Sequence, residues 1–218
     1  MTDSLGSLTA DELLALTLDA SRRGDTGHAL AYLKEAATRP DASAQGLFML
    51  GSEYAQIGLM TEAKVAMSRA VTLGPDFPIA RFQLGMLHVT SGDTAQAKAV
   101  WAPLATLGES HSQGYLADFH RGMLHLVADE FDAALAALGQ GLARNRENEP
   151  LNADMRRVMD AIEHLPGRSS AAAASVESPA PGTPAIELPA SNSSEAGAID
   201  DEPAHLFINA YTHRGKPH

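Results

Sequence analysis

Apolar residues recur along the first three quarters of this 218-residue chain at the three-to-four spacing of helices that bury one face. The segments ADELLALTLDASRR (10–23), AQGLFMLGSEYAQI (44–57), PIARFQLGMLHVTS (78–91) and YLADFHRGMLHLVA (115–128) each read as a helix of about three turns. Each is followed by a turn signal and a second, more alanine-rich helix: GDTGHALAYLKEA, GLMTEAKVAMSRA, GDTAQAKAVWAPL and DEFDAALAALGQG. Thr9 followed by Glu12 forms a capping-box pattern, which predicts that the first helix starts near residue 10. Pro150 suits a first helical turn, and Leu151, Met155, Val158, Ile162 and Leu165 follow at helical spacing, with Asp154, Arg156, Arg157 and Glu163 expected on the solvent side. Pro166-Gly167 is expected to end this last helix.

The helix pairs repeat. Gly24, Gly58 and Gly92 are 34 residues apart, Ala29, Ala63 and Ala97 follow each by five, and Ala134 comes 37 after Ala97. The three extra residues are expected in the loop GESHSQG, 108–114. Gly51, Gly85 and Gly122 lack a side chain and let paired helices approach closely, with the four alanines facing them. One pair cannot bury its apolar face alone, so neighbouring pairs must stack. The Leu-Gly pairs Leu50-Gly51 and Leu84-Gly85, together with Gly122, Tyr54, the turn glycines, the second-helix alanines and Pro40 and Pro75, resemble the tetratricopeptide repeat family. The likeness covers residues 10–148 in four copies, 10–43, 44–77, 78–111 and 115–148, with Thr17, Leu104 and Asp129 departing from its pattern. It implies an all-α, right-handed solenoid with a concave inner face, closed by a capping helix at 149–166 and preceded by a short lead at 1–9.

Carried onto this chain, the family's concave positions are Leu14, Leu18, Phe48, Met49, Phe82, Met86, Phe119, Met123 and Leu126. The expectation is an apolar trough in which phenylalanines at one repeat position and adaptable methionines hold an apolar segment of another protein. The cations with which some family members grip a terminal carboxylate are missing: Leu14, Leu18, Met49, Ile79 and Gln83 stand there.

Composition narrows the classes. Sixteen Lys and Arg against 27 Asp and Glu give a net charge of −11, which repels nucleic-acid backbones. There is no Cys, so thiolate chemistry is absent. No apolar run approaches the length needed to insert in a membrane, and the acidic start MTDSLGSLTADELL lacks the features of a secretory signal, so a cytoplasmic protein is expected. His88 and His125 share the repeat position of Tyr54 and are expected to pack between helices, while His120 alone is expected to face the groove. No phosphate loop, nucleophile elbow or metal-ligand spacing is visible, so a non-enzymatic protein without cofactor is expected.

Residues 167–204 are rich in Ala, Ser and Pro and read as a disordered linker; HLFINAYTHRGKPH at 205–218 then gathers Leu206, Phe207, Ile208 and Tyr211 ahead of basic residues. This looks like a docking motif, for a third protein or for self-association in the groove. The sequence therefore points to an interaction adaptor or chaperone, the alternative being a regulatory or scaffold subunit of a larger enzyme or secretion assembly.

Overall fold

The computed structural model describes residues 5–108 and 111–165. A short 3-10 turn, Leu5–Ser7, precedes α1 (Ala10–Arg22), α2 (Thr26–Ala36), α3 (Ala44–Gln56), α4 (Met60–Leu73), α5 (Pro78–Thr90), α6 (Thr94–Trp101), a second 3-10 stretch (Ala102–Thr106), α7 (Tyr115–Val127), α8 (Phe131–Arg144) and α9 (Glu149–Glu163). Among the described residues every regular element is helical. The helices pair as α1 with α2, α3 with α4, α5 with α6 and α7 with α8, and each pair stacks on the next, which is a solenoid of helical hairpins closed by α9.

Local chemistry sets the helix ends. The Thr9 hydroxyl accepts from the Glu12 amide at 3.3 Å while the Glu12 carboxylate receives the Thr9 amide at 2.8 Å, completing the expected box. The first three hairpin turns need a left-handed residue, and Gly24, Gly58 and Gly92 supply it at φ of 71°, 79° and 76°. At the fourth turn Asp129 takes the same conformation at φ 58° with a side chain attached.

Within each hairpin the close approach is set by a partner that the alanine pattern did not single out. A Cβ placed on Gly51 would lie 2.7 Å from Met67 Cγ, one on Gly85 would overlap the Trp101 indole, and one on Gly122 would lie 2.7 Å from Leu138. Met67, Trp101 and Leu138 recur at intervals of 34 and 37 residues, with Leu33 ahead of them in the first hairpin. Each is essentially buried and projects over the small residue of its partner helix. Ala63 contributes its backbone carbonyl to this contact, 3.2 Å from a Cβ on Gly51. In the first hairpin Thr17 holds the glycine position fully buried, and it satisfies its hydroxyl by donating to Leu13 O at 2.9 Å. Leu104, larger than the usual alanine, is buried in the tighter 3-10 stretch that follows α6.

The last helix packs on α8 through Leu151, Met155 and Ile162. One expected solvent-side residue is not there: Asp154 is 5% exposed, whereas Arg156, Arg157 and Glu163 are exposed as expected. Two buried amides tie the joint, with Asn145 Nδ2 donating to Asn152 Oδ1 at 2.9 Å and Asn152 Nδ2 donating to Asn145 O at 3.0 Å. Pro166 and Gly167, the linker at 167–204 and the motif carrying Leu206, Phe207, Ile208 and Tyr211 lie outside the described residues.

Candidate functional site

The first helix of each hairpin carries the residues expected on the inner face. Leu14, Phe48, Phe82 and Phe119 form one row along it, at intervals of 34, 34 and 37, and Leu18, Ser52, Met86 and Met123 form the next. The structure divides the nine expected groove residues in two. Phe48, Phe82, Phe119 and Met123 are at most 2% exposed and belong to the core, which corrects the expectation that they meet an incoming segment directly. Leu14, Leu18, Met49, Met86 and Leu126 are half-buried and present part of their surface.

The aromatic residues are buried because they seal the joints between hairpins. Phe48 meets Phe77, at the start of α5, at a ring distance of 5.3 Å and Phe82 meets Phe119 of the next hairpin at 6.2 Å, while within α7 Tyr115 stands edge-on to Phe119 at 5.7 Å. Trp101 stacks on Phe82 at 5.8 Å and donates its indole N–H to Phe82 O at 2.9 Å. The phenylalanines therefore belong to the packed core, and the half-buried Leu14, Leu18, Met49, Met86 and Leu126 keep part of their surface exposed. Val89, also half-buried on α5 three residues beyond Met86, was not singled out from sequence.

The polar groups near this face do structural work. His120 is 6% exposed and stands edge-on to Trp101 at 6.1 Å, so it does not face the groove; burial first, then the Arg121 charge, holds its imidazole below the ordinary range. His125 Nδ1 lies 2.5 Å from Glu130 Oε2, and His88 Nδ1 lies 3.5 Å from Asp93 Oδ2, each pair spanning the turn that follows its helix. Asp118 is buried and bridges Arg121 and Arg144 at 2.7 and 2.6 Å, fixing α7 against α8. Glu53 is buried on α3, and loss of solvent raises its carboxyl above the usual range. Among the described residues no group of three or more His, Asp or Glu is placed to hold a metal ion. Among the same residues no helix is long and apolar enough to cross a membrane.

Two rows of equivalent residues on stacked helical hairpins, with glycine at the close contact and at the turn, describe a known repeat, and residues 44–77 match the tetratricopeptide repeat model. This chain carries a tetratricopeptide repeat there. Its repeats are similar to part of the tetratricopeptide repeat and J domain-containing co-chaperone DNJ1 of Fusarium oxysporum f. sp. lycopersici, at 28% identity over 125 residues, 53% of this chain and 24% of that protein. The chain thus spans about a quarter of the length of that relative. The crystal structure of MamA superposes with a TM-score of 0.51 at 21% identity, covering 62% of this chain and 77% of that one, a likeness of fold. A further solved chain, MamA MSR-1 C2, covers 75% of this chain and 90% of its own at a TM-score of 0.46 and 15% identity.

Proposed function

We propose that the protein is a non-enzymatic interaction adaptor of chaperone type, whose inner face holds an apolar segment of another protein. The observation that carries this reading is the run of half-buried apolar side chains Leu14, Leu18, Met49, Met86 and Leu126 over a floor of buried aromatic rings. A rigid floor keeps the lining in place before a ligand arrives, so little ordering cost falls on the protein. Methionine adapts to irregular partners, and burial of each Leu or Phe of the ligand contributes on the order of 1.5 to 3 kcal/mol before the ligand's own ordering is subtracted. The inner face offers no cationic clamp, which favours internal apolar segments over free carboxyl termini.

The test must spare the floor, because a lysine at Phe82 or Phe119 would bury a charge and unfold the body. Leu18→Lys with Met86→Lys changes only the lining. Peptides selected from a random display library on the wild-type chain are expected to be rich in apolar residues and to lose at least about tenfold in affinity for the double variant, as read by fluorescence polarisation. Selection of acidic peptides, or undiminished binding by a variant with unchanged circular dichroism, overturns the reading.

A further inference from the structure

Another exposed surface lies on α4. Leu59, which precedes the first turn of that helix, is followed by Glu62, Val65, Arg69 and Leu73 at i+3, i+6, i+10 and i+14, a stripe along one side. All five are exposed, Val65 at 59% and Leu73 at 54%. Ile57 and Met60 are exposed at the same end as Leu59, so of the well-exposed large apolar side chains among the described residues only Leu16 lies outside 57–73. A concentration of this kind on one element marks a surface that another protein surface covers.

The order along the stripe is apolar, anion, apolar, cation, apolar, and it has a centre. Leu59 and Leu73 are equidistant in sequence from Ala66, and Glu62 and Arg69 are equidistant from the bond between Val65 and Ala66. Turned end for end, the stripe is its own complement. In an antiparallel pair about a two-fold axis, Glu62 of each copy comes opposite Arg69 of the other, Leu59 comes opposite Leu73, and Val65 lies beside the axis. Charges seven residues apart, about 10 Å along the helix, meet charges at the same spacing because both sets belong to the same helix. Arg69 is already anchored, its Nη2 donating to Ala37 O at 3.0 Å. Lys34 of α2, Leu50 of α3 and Val65 of α4 line a cleft of about 390 Å³ beside the stripe, which gives side chains of a facing helix room to enter.

We infer that α4 is a dimerisation surface, on which two copies of this chain pack α4 antiparallel to α4, with a Glu62–Arg69 pair on either side of an apolar centre at Val65. The charge balance fits a second copy. The whole chain carries −11 and repels its like, but the stripe holds one anion and one cation and is neutral, so repulsion is least where the copies touch. At physiological salt, exposed charges more than about 8 Å apart are largely screened, whereas the paired ones are close. The contact spans about 21 Å of helix and is small for a dimer interface, so a reversible dimer with a dissociation constant on the order of 10 µM is expected. α4 is the second helix of its hairpin, whereas Leu14, Leu18, Met49, Met86 and Leu126 lie on first helices, so the inference stands independently of what those residues bind.

Sedimentation velocity of the full chain between about 1 and 200 µM is expected to show monomer passing to dimer. Glu62→Arg and Arg69→Glu, each alone, set like charges opposite one another twice, and each is expected to weaken dimerisation at least about tenfold. Both changes in one chain bring opposite charges together again and should restore the dimer. Mixing the two single variants should likewise give a heterodimer, with circular dichroism unchanged throughout. Because the chain has no native cysteine, Val65→Cys gives a second reading that needs no charge change. Its disulfide-linked dimer, formed with the oxidant diamide, is expected to appear at least about tenfold faster than that of Ala136→Cys, an exposed control on α8, because Val65 lies within one residue of the axis. A wild-type chain that stays monomeric at about 200 µM leaves the stripe to a different protein and overturns the proposal. A dimer that survives both single charge variants, or equal linking rates at Val65 and Ala136, places self-association on another surface and overturns it as well.

Discussion

Trp101 donates its indole N–H to the carbonyl of Phe82 at 2.9 Å while its ring stacks on the Phe82 ring at an interplanar angle of 22°. One side chain of α6 is thus held to α5 by a directed bond and by ring contact, in a site closed to water. Trp101→Phe keeps part of the stacking, removes the donor and leaves a small void. A loss of about 1 to 3 kcal/mol is expected, measured by urea denaturation followed by circular dichroism. A change within error of zero would show that the bond is dispensable.

The interhelical glycines should not respond alike to alanine. At Gly85 the added methyl would overlap the Trp101 ring, a rigid body pinned by the bond just described. At Gly51 it would meet Met67 Cγ at 2.7 Å, the middle of a side chain that can turn aside. Gly85→Ala is expected to cost about 3 kcal/mol or more and Gly51→Ala about 1 kcal/mol, after the helix-propensity gain common to both. Thermal melts of the two variants rank them; the reverse order would contradict the packing.

Asp129 at φ 58° occupies the turn position that Gly24, Gly58 and Gly92 hold in the other hairpins. A side chain in the left-handed region is strained by about 1 to 2 kcal/mol, part of which an aspartate recovers through local polar contacts. Asp129→Gly is therefore expected to stabilise the fourth hairpin by up to about 1 kcal/mol, read as a higher denaturation midpoint. Destabilisation would mean that the carboxylate makes a contact worth more than the strain.

Asp154 links stability to pH. Burial pushes its carboxyl up to about 7, only partly opposed by Arg157, whose Nη1 lies 3.3 Å from Oδ1, and Oδ2 has no hydrogen-bond partner among the described residues. The ordinary value of 3.8 applies to the unfolded chain, so between that pH and about 7 the folded state binds the extra proton. The contribution of this group is complete at low pH and is lost as pH rises through about 7. Asp154→Asn should be more stable than wild type by about 1 to 3 kcal/mol at pH 8, with the gap narrowing at pH 5. A gap that is constant across pH would remove Asp154 as its source.

The fold was legible in the sequence because its determinants are periodic and local. Gly51, Gly85 and Gly122 mark close contacts wherever they occur, and Gly24, Gly58 and Gly92 mark turns, since the backbone conformation itself requires them. The lining of the inner face was only half legible. Phe48, Phe82 and Phe119 sit at positions expected to face inward within one hairpin, but Phe77 at the start of α5 lies over Phe48 and Phe119 of the next hairpin lies over Phe82. A single-repeat pattern holds no information about its neighbour. Asp154 misled for a related reason: charge predicts solvent, yet its place on α9 is fixed by Leu151 and Met155 entering the joint with α8. A cleft lined by Lys34 of α2, Leu50 of α3 and Val65 of α4 left no trace in the apolar period because Leu50 obeys the same period as core residues.

The aromatic seals are not evenly distributed. Phe48 with Phe77 joins the second hairpin to the third, and Phe82 with Phe119 and Trp101 with His120 join the third to the fourth, whereas Leu14 lies against Gly46 where the first meets the second. In a solenoid, cooperativity is the sum of such nearest-neighbour couplings. The first hairpin is therefore expected to unfold ahead of the second to fourth, which hydrogen exchange would read as earlier loss of protection in α1 and α2. Lys34 of α2 and Val65 of α4 line one cleft, so early opening of the first hairpin would also take that cleft apart.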